Sequence, residues 1–184
     1  MTNHSTTFNA SAAEPNKSKA NKTLAYIGLG SNLEQPQIQI EQAASALNQI
    51  PDTQLVATSP LYQSKAIGPG KQADYINAVA ALETCLSAPS LLLHLQTIEN
   101  LQGRQRGSVR WVARTLDLDL LLFGDTIINT PDLTVPHPRM AERNFVLYPL
   151  LDLANTLNPN LALPEGDTIV RLAKQCPTEG IRKL

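Results

Sequence analysis

Arg114-Thr115-Leu116-Asp117-Leu118-Asp119-Leu120-Leu121-Leu122-Phe123 repeats with a period of two. On a strand, Leu116, Leu118, Leu120 and Leu122 share one face, and Thr115, Asp117, Asp119, Leu121 and Phe123 share the other. The leucine face requires a core. The opposite face opens with two carboxylates that point the same way, about 7 Å apart. Like charges held that close repel unless a proton or a cation lies between them. A hard divalent ion relieves the repulsion, and Mg²⁺ typically takes one or two carboxylates together with substrate phosphates. The plainer alternative is a half-exposed strand with a solvated acidic face. The Asp-Leu-Asp triplet alone does not separate the two.

Upstream lie Arg104, Arg106, Arg110 and Arg114, four arginines within eleven residues, with Trp111 among them and Gly103 and Gly107 beside them. Guanidinium forks match phosphate oxygens bidentately, and a metal on the carboxylates grips the same polyphosphate from the other side. Together they describe a metal–nucleotide site. A solvated loop paired with the aspartates and a nucleic-acid patch are the alternatives. The chain has no G-x-x-x-x-G-K-[ST] and no H-R-D or D-F-G set, so any ATP is held in an unusual frame. Gly28 and Gly30 fall short of a dinucleotide fingerprint because Leu33 stands at the third glycine position. They read as a tight strand-to-helix turn, with Ser31 or Asn32 as the cap.

The 184 residues suit a single domain with a real core, and a formal net charge of −1 argues against a general electrostatic surface for nucleic acid. Cys85 and Cys176 show neither metal spacing nor a disulfide framework, which points to a reducing cytoplasm. No apolar run approaches the roughly 20 residues of a membrane span. Residues 1–22 are polar, lack the apolar centre of a secretory signal, and read as a disordered tail.

Order begins with a strand from Thr23. A helix follows with Ile40, Ala43, Ala44 and Leu47 inward. Leu55 to Tyr62 reads as a strand that Pro60 confines to an edge or a bulge. Tyr75 to Thr84 is the next strand, with Tyr75, Asn77 and Val79 on one face. A second helix opens at Ser87-Ala88-Pro89, carries Leu91, Leu92, Leu95 and Ile98 inward, sets Gln96 and Glu99 on a polar edge, and stops at Gly103. Short strands at 127–128 and 133–135, a helix from Arg139 to Leu153 interrupted by Pro149, and a last helix capped by Asp167 complete the chain. The fold class is therefore α+β. Its order β-α-β-β-α-β is ferredoxin-like, an antiparallel sheet with both helices on one face, extended C-terminally by a hairpin and helices. The Asp face is expected to be open.

Arg110-Trp111…Arg114-Thr115-Leu116-Asp117-Leu118-Asp119 resembles the signature of the hydroxymethyldihydropterin pyrophosphokinase family. Residues 26–33, 74–78, 134–139 and 142–147 are similar to that family's motifs in order and spacing, and the resemblance runs from about Thr23 to Cys176. It implies a pyrophosphokinase domain over 23–184 that transfers pyrophosphate from ATP to 6-hydroxymethyl-7,8-dihydropterin in folate biosynthesis and releases AMP. It further implies two Mg²⁺ on Asp117 and Asp119, with Arg104 and Arg114 catalytic. ATP would be bound by Gln96, Glu99, Arg104, Arg106, Trp111, Arg114, Leu120, Thr134, His137 and Arg143. The pterin would be bound by Ser64, Ile67, Tyr75, Asn77, Trp111 and Phe145, stacked between Tyr75 and Phe145. The expected partners are these small molecules, with no nucleic acid and no membrane, and the expected state is a cytoplasmic monomer. Val112-Ala113 stand where the family usually has Gly-Pro, Ala66 where proline is common, Ser64 where threonine is common and Ala141 where histidine is frequent.

Two other classes remain in view. An RNA-binding module of the RRM type shares the element order but needs several aromatics on its third strand. Here Tyr75-Ile76-Asn77-Ala78-Val79 carries one, without a basic run. A metal-dependent nuclease accounts for the acid pair but not for the Tyr75, Asn77 and Phe145 set.

Overall fold

The computed structural model describes residues 21–66, 72–103 and 115–184. The elements are β1 (Thr23–Ser31), α1 (Pro36–Leu47), β2 (Thr53–Thr58), β3 (Tyr62–Ser64), β4 (Tyr75–Thr84), α2 (Ala88–Leu101), β5 (Asp117–Phe123), β6 (Ile128–Asn129), β7 (Thr134–Val135), α3 (Asn144–Leu157), α4 (Ile169–Gln175) and β8 (Ile181–Lys183). Residues 1–20 of the expected tail lie outside the described residues. Lys22, also assigned to that tail, is described, and its Nζ donates to Glu83 Oε2 at 2.6 Å.

The architecture is α+β around an antiparallel six-stranded sheet in the order β5-β1-β4-β3-β8, with β2 also paired to β4. β2 and β3 lie end to end along β4, opposite Ala80–Thr84 and Tyr75–Asn77. Pro60, which lacks a ladder donor, sits in the break between them. Ser59 bridges the gap. Its N–H donates to the Val79 carbonyl at 2.8 Å, and its hydroxyl accepts from the Val79 N–H at 2.9 Å.

Both faces of the sheet are covered. α1 and α2 bury Ile40, Leu47, Leu91 and Leu95 against Ile27, Leu29, Ala80, Leu118 and Leu120. α3 and α4 bury Leu147, Leu150 and Ile169 against Tyr26, Val79, Ala81, Leu121 and Leu122. The Asp face of β5 is therefore open only near Asp117 and Asp119, and α3 and α4 close it beyond.

A β-bulge draws that line. Tyr26 pairs with Leu122 and Ile27 with Leu120, so Leu121 is an extra residue. One inserted residue reverses the alternation downstream. Leu122 consequently joins Leu121 under α3, and Phe123 turns into the core beneath α1 and α2. Strict alternation placed each of these last two on the opposite face. An unbroken run of leucines carries no mark of the flip.

Helix ends differ from expectation in three places. α1 begins after Gln35, which is left-handed at φ 64° and makes no side-chain cap. Ser31 closes β1 instead, and Asn32 Nδ2 donates to the Ala73 carbonyl at 3.2 Å. α4 is capped by Thr168, whose Oγ1 accepts from Arg171 N at 3.2 Å, while Asp167 pairs with the Arg171 side chain. Pro149 does not interrupt α3, which runs to Leu157 after a 3-10 turn over Met140–Glu142. The proline is buried in the α3 core face, where packing offsets the lost backbone bond. Ser87 caps α2 as expected, and Gly103 ends it at φ 83°. β8 is too short for a periodicity signal and was not anticipated. No helix among the described residues is long and apolar enough to cross a membrane.

Leu121 is fully buried, whereas Leu93 on α2 is 65% exposed. Leu121→Ala is expected to cost about 2–5 kcal/mol through the cavity it leaves. Leu93→Ala should stay within about 0.5 kcal/mol of wild type. Urea unfolding midpoints at constant slope measure both.

Candidate active site

Cross-strand register assembles the site. Asp117 pairs with Gly30 and Asp119 with Gly28 across β5 and β1, and on the other side Gly30 pairs with Asn77 and Gly28 with Val79. Paired residues share a face. The two carboxylates therefore stand on one side of a glycine floor, with Asn77 and Tyr75 on the other. A Cβ at Gly30 would lie 3.6 Å from Asn77 Oδ1 and 3.9 Å from Tyr75 Cδ1. These glycines belong to the strand itself, not to the turn after it as their spacing had suggested.

Asp119 faces two basic groups that lie within 24 residues C-terminal to it. Arg143 Nη1 is 3.9 Å and His137 Nε2 4.0 Å from Asp119 Oδ2. His137 is hooked to the bulge, its N–H donating to the Leu121 carbonyl at 2.9 Å. Its Nδ1 accepts from Arg139 N at 3.2 Å, so the neutral ring keeps its proton on Nε2, toward the carboxylate. Burial holds the His137 pKa below the usual histidine value. Asp119 and Asp117 pull it up, and Arg143 and Arg139 push it down. Arg143 also sits over the Phe145 ring, 5.6 Å from its centroid.

Glu99 shares a polar edge of α2 with Gln96 by its spacing. It is 2% exposed, and its Oε1 accepts from the Leu118 N–H at 2.8 Å, on the backbone between the two aspartates. Gln96 is half-buried one turn earlier on α2. Beside them lies a cleft of about 240 Å³ lined by Leu92, Leu118, Asp119, Leu120, Pro131, Asp132, Leu133, Thr134, His137 and Pro138. Leu120, Thr134 and His137 were anticipated as nucleotide-side positions. Leu92, Pro131, Asp132, Leu133 and Pro138 were not. By its spacing Leu92 belongs to the apolar stripe of α2, and that placement hides its opening into the cleft.

Tyr75 on β4 and Phe145 on α3 are both half-buried. Asn77 is 4% exposed. Its Nδ2 donates to Ser64 Oγ at 3.0 Å and to the Tyr62 carbonyl at 3.5 Å, which leaves Oδ1 facing the floor. Ser64 is 5% exposed and supports Asn77 with its hydroxyl. Ile67, Arg104, Arg106, Trp111, Arg114 and the Val112-Ala113 pair lie outside the described residues.

Among the described residues no group of three or more His, Cys, Asp or Glu forms a closed metal cage. Two carboxylates on one strand are an incomplete donor set. That suits a hard cation which keeps water and takes oxygen ligands from a substrate.

The family model described as 7,8-dihydro-6-hydroxymethylpterin-pyrophosphokinase matches residues 26–155. The chain belongs to this family. A Pseudomonas aeruginosa protein named 2-amino-4-hydroxy-6-hydroxymethyldihydropteridine pyrophosphokinase is 51% identical over 159 residues, covering 86% of this chain and 95% of that protein. The Haemophilus influenzae protein of the same name is 49% identical, with 87% and 97% covered. The fission yeast "Folic acid synthesis protein fol1" is 35% identical over 160 residues, but those are 21% of its length. In solved structures, the Plasmodium falciparum HPPK-DHPS with pterin and p-hydroxybenzoate superposes with TM-score 0.65 at 15% identity, which bears on the fold alone. This chain covers 45% of that one. Membership of the pyrophosphokinase family sets aside the RNA-binding and nuclease readings.

For this pyrophosphokinase-family chain the half-buried His137 gives a testable pH dependence. A folded-state pKa below the unfolded value near 6.5 means that the unfolded chain binds more protons in between. Stability is then full above about pH 6.5 and falls as pH drops toward the lowered folded value. Denaturant titrations between pH 7 and pH 5 should show this loss in wild type, and His137→Gln should flatten it. An equal slope in both proteins would reject the assignment.

Proposed function

We propose that the protein transfers an intact pyrophosphate from ATP to the hydroxymethyl oxygen of 6-hydroxymethyl-7,8-dihydropterin, giving the dihydropterin diphosphate and AMP for folate synthesis. Family membership supports the reaction. The observation that carries the site is the acid pair facing Asn77 and Tyr75 across two glycines. The hydroxymethyl oxygen attacks the β-phosphorus, the bond from that phosphorus to the bridging α–β oxygen breaks, AMP leaves with the oxygen, and the hydroxyl proton passes to water. Two Mg²⁺, held by Asp117 and Asp119, supply charge neutralisation on the polyphosphate when bound.

The apolar walls of the cleft, Leu92, Leu120 and Leu133, suit the adenine. Gln96 and Thr134 offer polar partners beside it, and Glu99 acts on this side through the backbone of β5. The phosphates then run toward Asp119, where His137 Nε2–H and Arg143 donate to their oxygens. Arg104 and Arg114 act on charge developing at the transferred group, and Arg106 and Trp111 help cover it. Tyr75 and Phe145 stack on the pterin, Asn77 bonds its edge, and the backbone at Ser64 and Ile67 completes that edge. In this reading the sheet order β5-β1-β4-β3 supports a ferredoxin-like unit, working as a cytoplasmic monomer.

The test is a single assay with ATP, Mg²⁺ and hydroxymethyldihydropterin, in which AMP should form in step with the pterin diphosphate. ADP as the stoichiometric nucleotide would exclude pyrophosphoryl transfer. Asp117→Ala and Asp119→Ala should each lose turnover by orders of magnitude while keeping the fold, since removing a carboxylate relieves repulsion. Chelation of the metal should do the same to wild type. Arg104→Ala should lower kcat with little change in ATP affinity, which separates transition-state from ground-state contacts. An equal loss in both would place Arg104 in ground-state binding.

A further inference from the structure

Asp74 and Asn144 are the immediate neighbours of Tyr75 and Phe145, and both are engaged by other parts of the chain. Tyr75 stands on β4 and Phe145 on α3, so no shared ladder fixes their separation. The start of α3 also lacks the usual anchor, because Arg143 at its N-cap makes no side-chain cap bond. The C-terminal segment spans the two walls. Asn144 Nδ2 donates to the carbonyls of Pro177 at 3.0 Å and Glu179 at 3.1 Å. Beyond Glu179 the backbone turns onto β3. Lys65 N donates to the Gly180 carbonyl at 3.0 Å, Ser64 pairs with Ile181, and Leu184 N donates to the Leu61 carbonyl at 2.9 Å. Arg182 Nε donates to Gln63 Oε1 at 2.9 Å, and Gln63 Nε2 donates to Asp74 Oδ2 at 2.7 Å. Lys183 Nζ and the Tyr62 hydroxyl meet on Asp152 Oδ2 of α3, each at 2.8 Å.

We propose that residues 177–184 are a clasp that sets the spacing of Tyr75 and Phe145, with Asn144 and Arg182 as positioning residues for pterin binding. The inference rests on the proposed pterin reading of those two aromatic side chains. Stacking weakens once two rings stand off the thickness of a flat ligand, so small shifts of α3 against β4 act first on pterin affinity, and they reach the nucleotide side only through Arg143 at the start of α3. That cleft is built on β5, α2 and the residues around β7. None of its lining residues touches the clasp through the bonds above.

The experiment titrates 6-hydroxymethyl-7,8-dihydropterin and, separately, a non-hydrolysable ATP analogue into the full chain by calorimetry. The variants are Asn144→Ala, Asn144→Asp, Arg182→Ala and Arg182→Lys. Asn144→Asp keeps the shape but has no N–H to donate, so it should behave like alanine. Both are expected to raise the pterin Kd about five- to tenfold, the loss of one to two ordinary hydrogen bonds. Arg182→Ala should do so less, and Arg182→Lys should recover part of it. In the Asn144 variants ATP-analogue affinity should fall by less than pterin affinity, and in the Arg182 variants ATP-analogue affinity should stay at the wild-type value, with kcat at saturating pterin kept and the main effect in the pterin KM. Unchanged pterin affinity in the Asn144 variants overturns the clasp, as does equal weakening of both ligands. Should the Asn144 variants fail to fold, the exposed Arg182→Ala decides alone by the same criteria. A wild-type chain that does not bind pterin would instead sink the functional reading. If Tyr75→Ala and Phe145→Ala weaken pterin while Asn144→Asp does not, only the clasp fails.

Discussion

Burial of Leu116, Leu118 and Leu120, at 0%, 5% and 3% exposure, leaves Asp117 and Asp119 no way to turn apart. Repulsion between two carboxylates about 7 Å apart is about 2 kcal/mol at an effective dielectric of 20, and less where they are half-exposed. Burying one leucine contributes about 1.5–3 kcal/mol, and three are buried here. The leucines therefore win, and the strand carries an acid pair that the fold does not need. Glu99 strengthens the constraint, because its bond to Leu118 N ties the backbone between the acids to α2.

The same strand shows how far its sequence could be read. Alternation identified β5 and its Asp face correctly, since polar residues mark every second position up to Leu120. From Leu120 to Phe123 all four residues are apolar, and any register fits such a run. The bulge at Leu121 was invisible for that reason. It decides which part of the Asp face is covered, because Leu121 and Leu122 both pack under α3. β4, by contrast, was legible to its ends, with Tyr75–Thr84 flanked by turn residues and Asn77 marking its site face.

In the site, the legible residues were those that chemistry makes unusual where they stand. Two acids two positions apart on a strand draw notice in any sequence, whereas His137 between its prolines reads as a turn until the family resemblance gives it a role. The residues that were missed are ordinary in type. Leu92 and Leu133 look like core because most leucines at helical or strand spacing are core. Glu99 is named on the nucleotide side through the family resemblance, but its type hides its burial, which depends on the proximity of Leu118, nineteen positions away. Position in sequence says nothing of such distances. Asn144 and Arg182 belong to the same class, polar residues whose partners lie 33 or more residues distant.

Gly28 and Gly30 bear on why the floor is bare. Neither has a positive φ, so the backbone does not demand glycine there. Crowding does not fully demand it either. A Cβ at Gly30 would meet Asn77 Oδ1 at 3.6 Å, an ordinary contact, and one at Gly28 would meet Leu121 Cδ2 at 3.4 Å. Glycine also weakens a strand interior, so a middle strand of the sheet carries it at a cost. What remains is the space above. On the proposed reading, the group in transfer has to pass between the acid pair on β5 and Asn77 on β4, and β1 is the strand between them. Any side chain on this face of β1 would occupy that path. The glycines keep two half-sites, each built on a different neighbour of β1, open to one another.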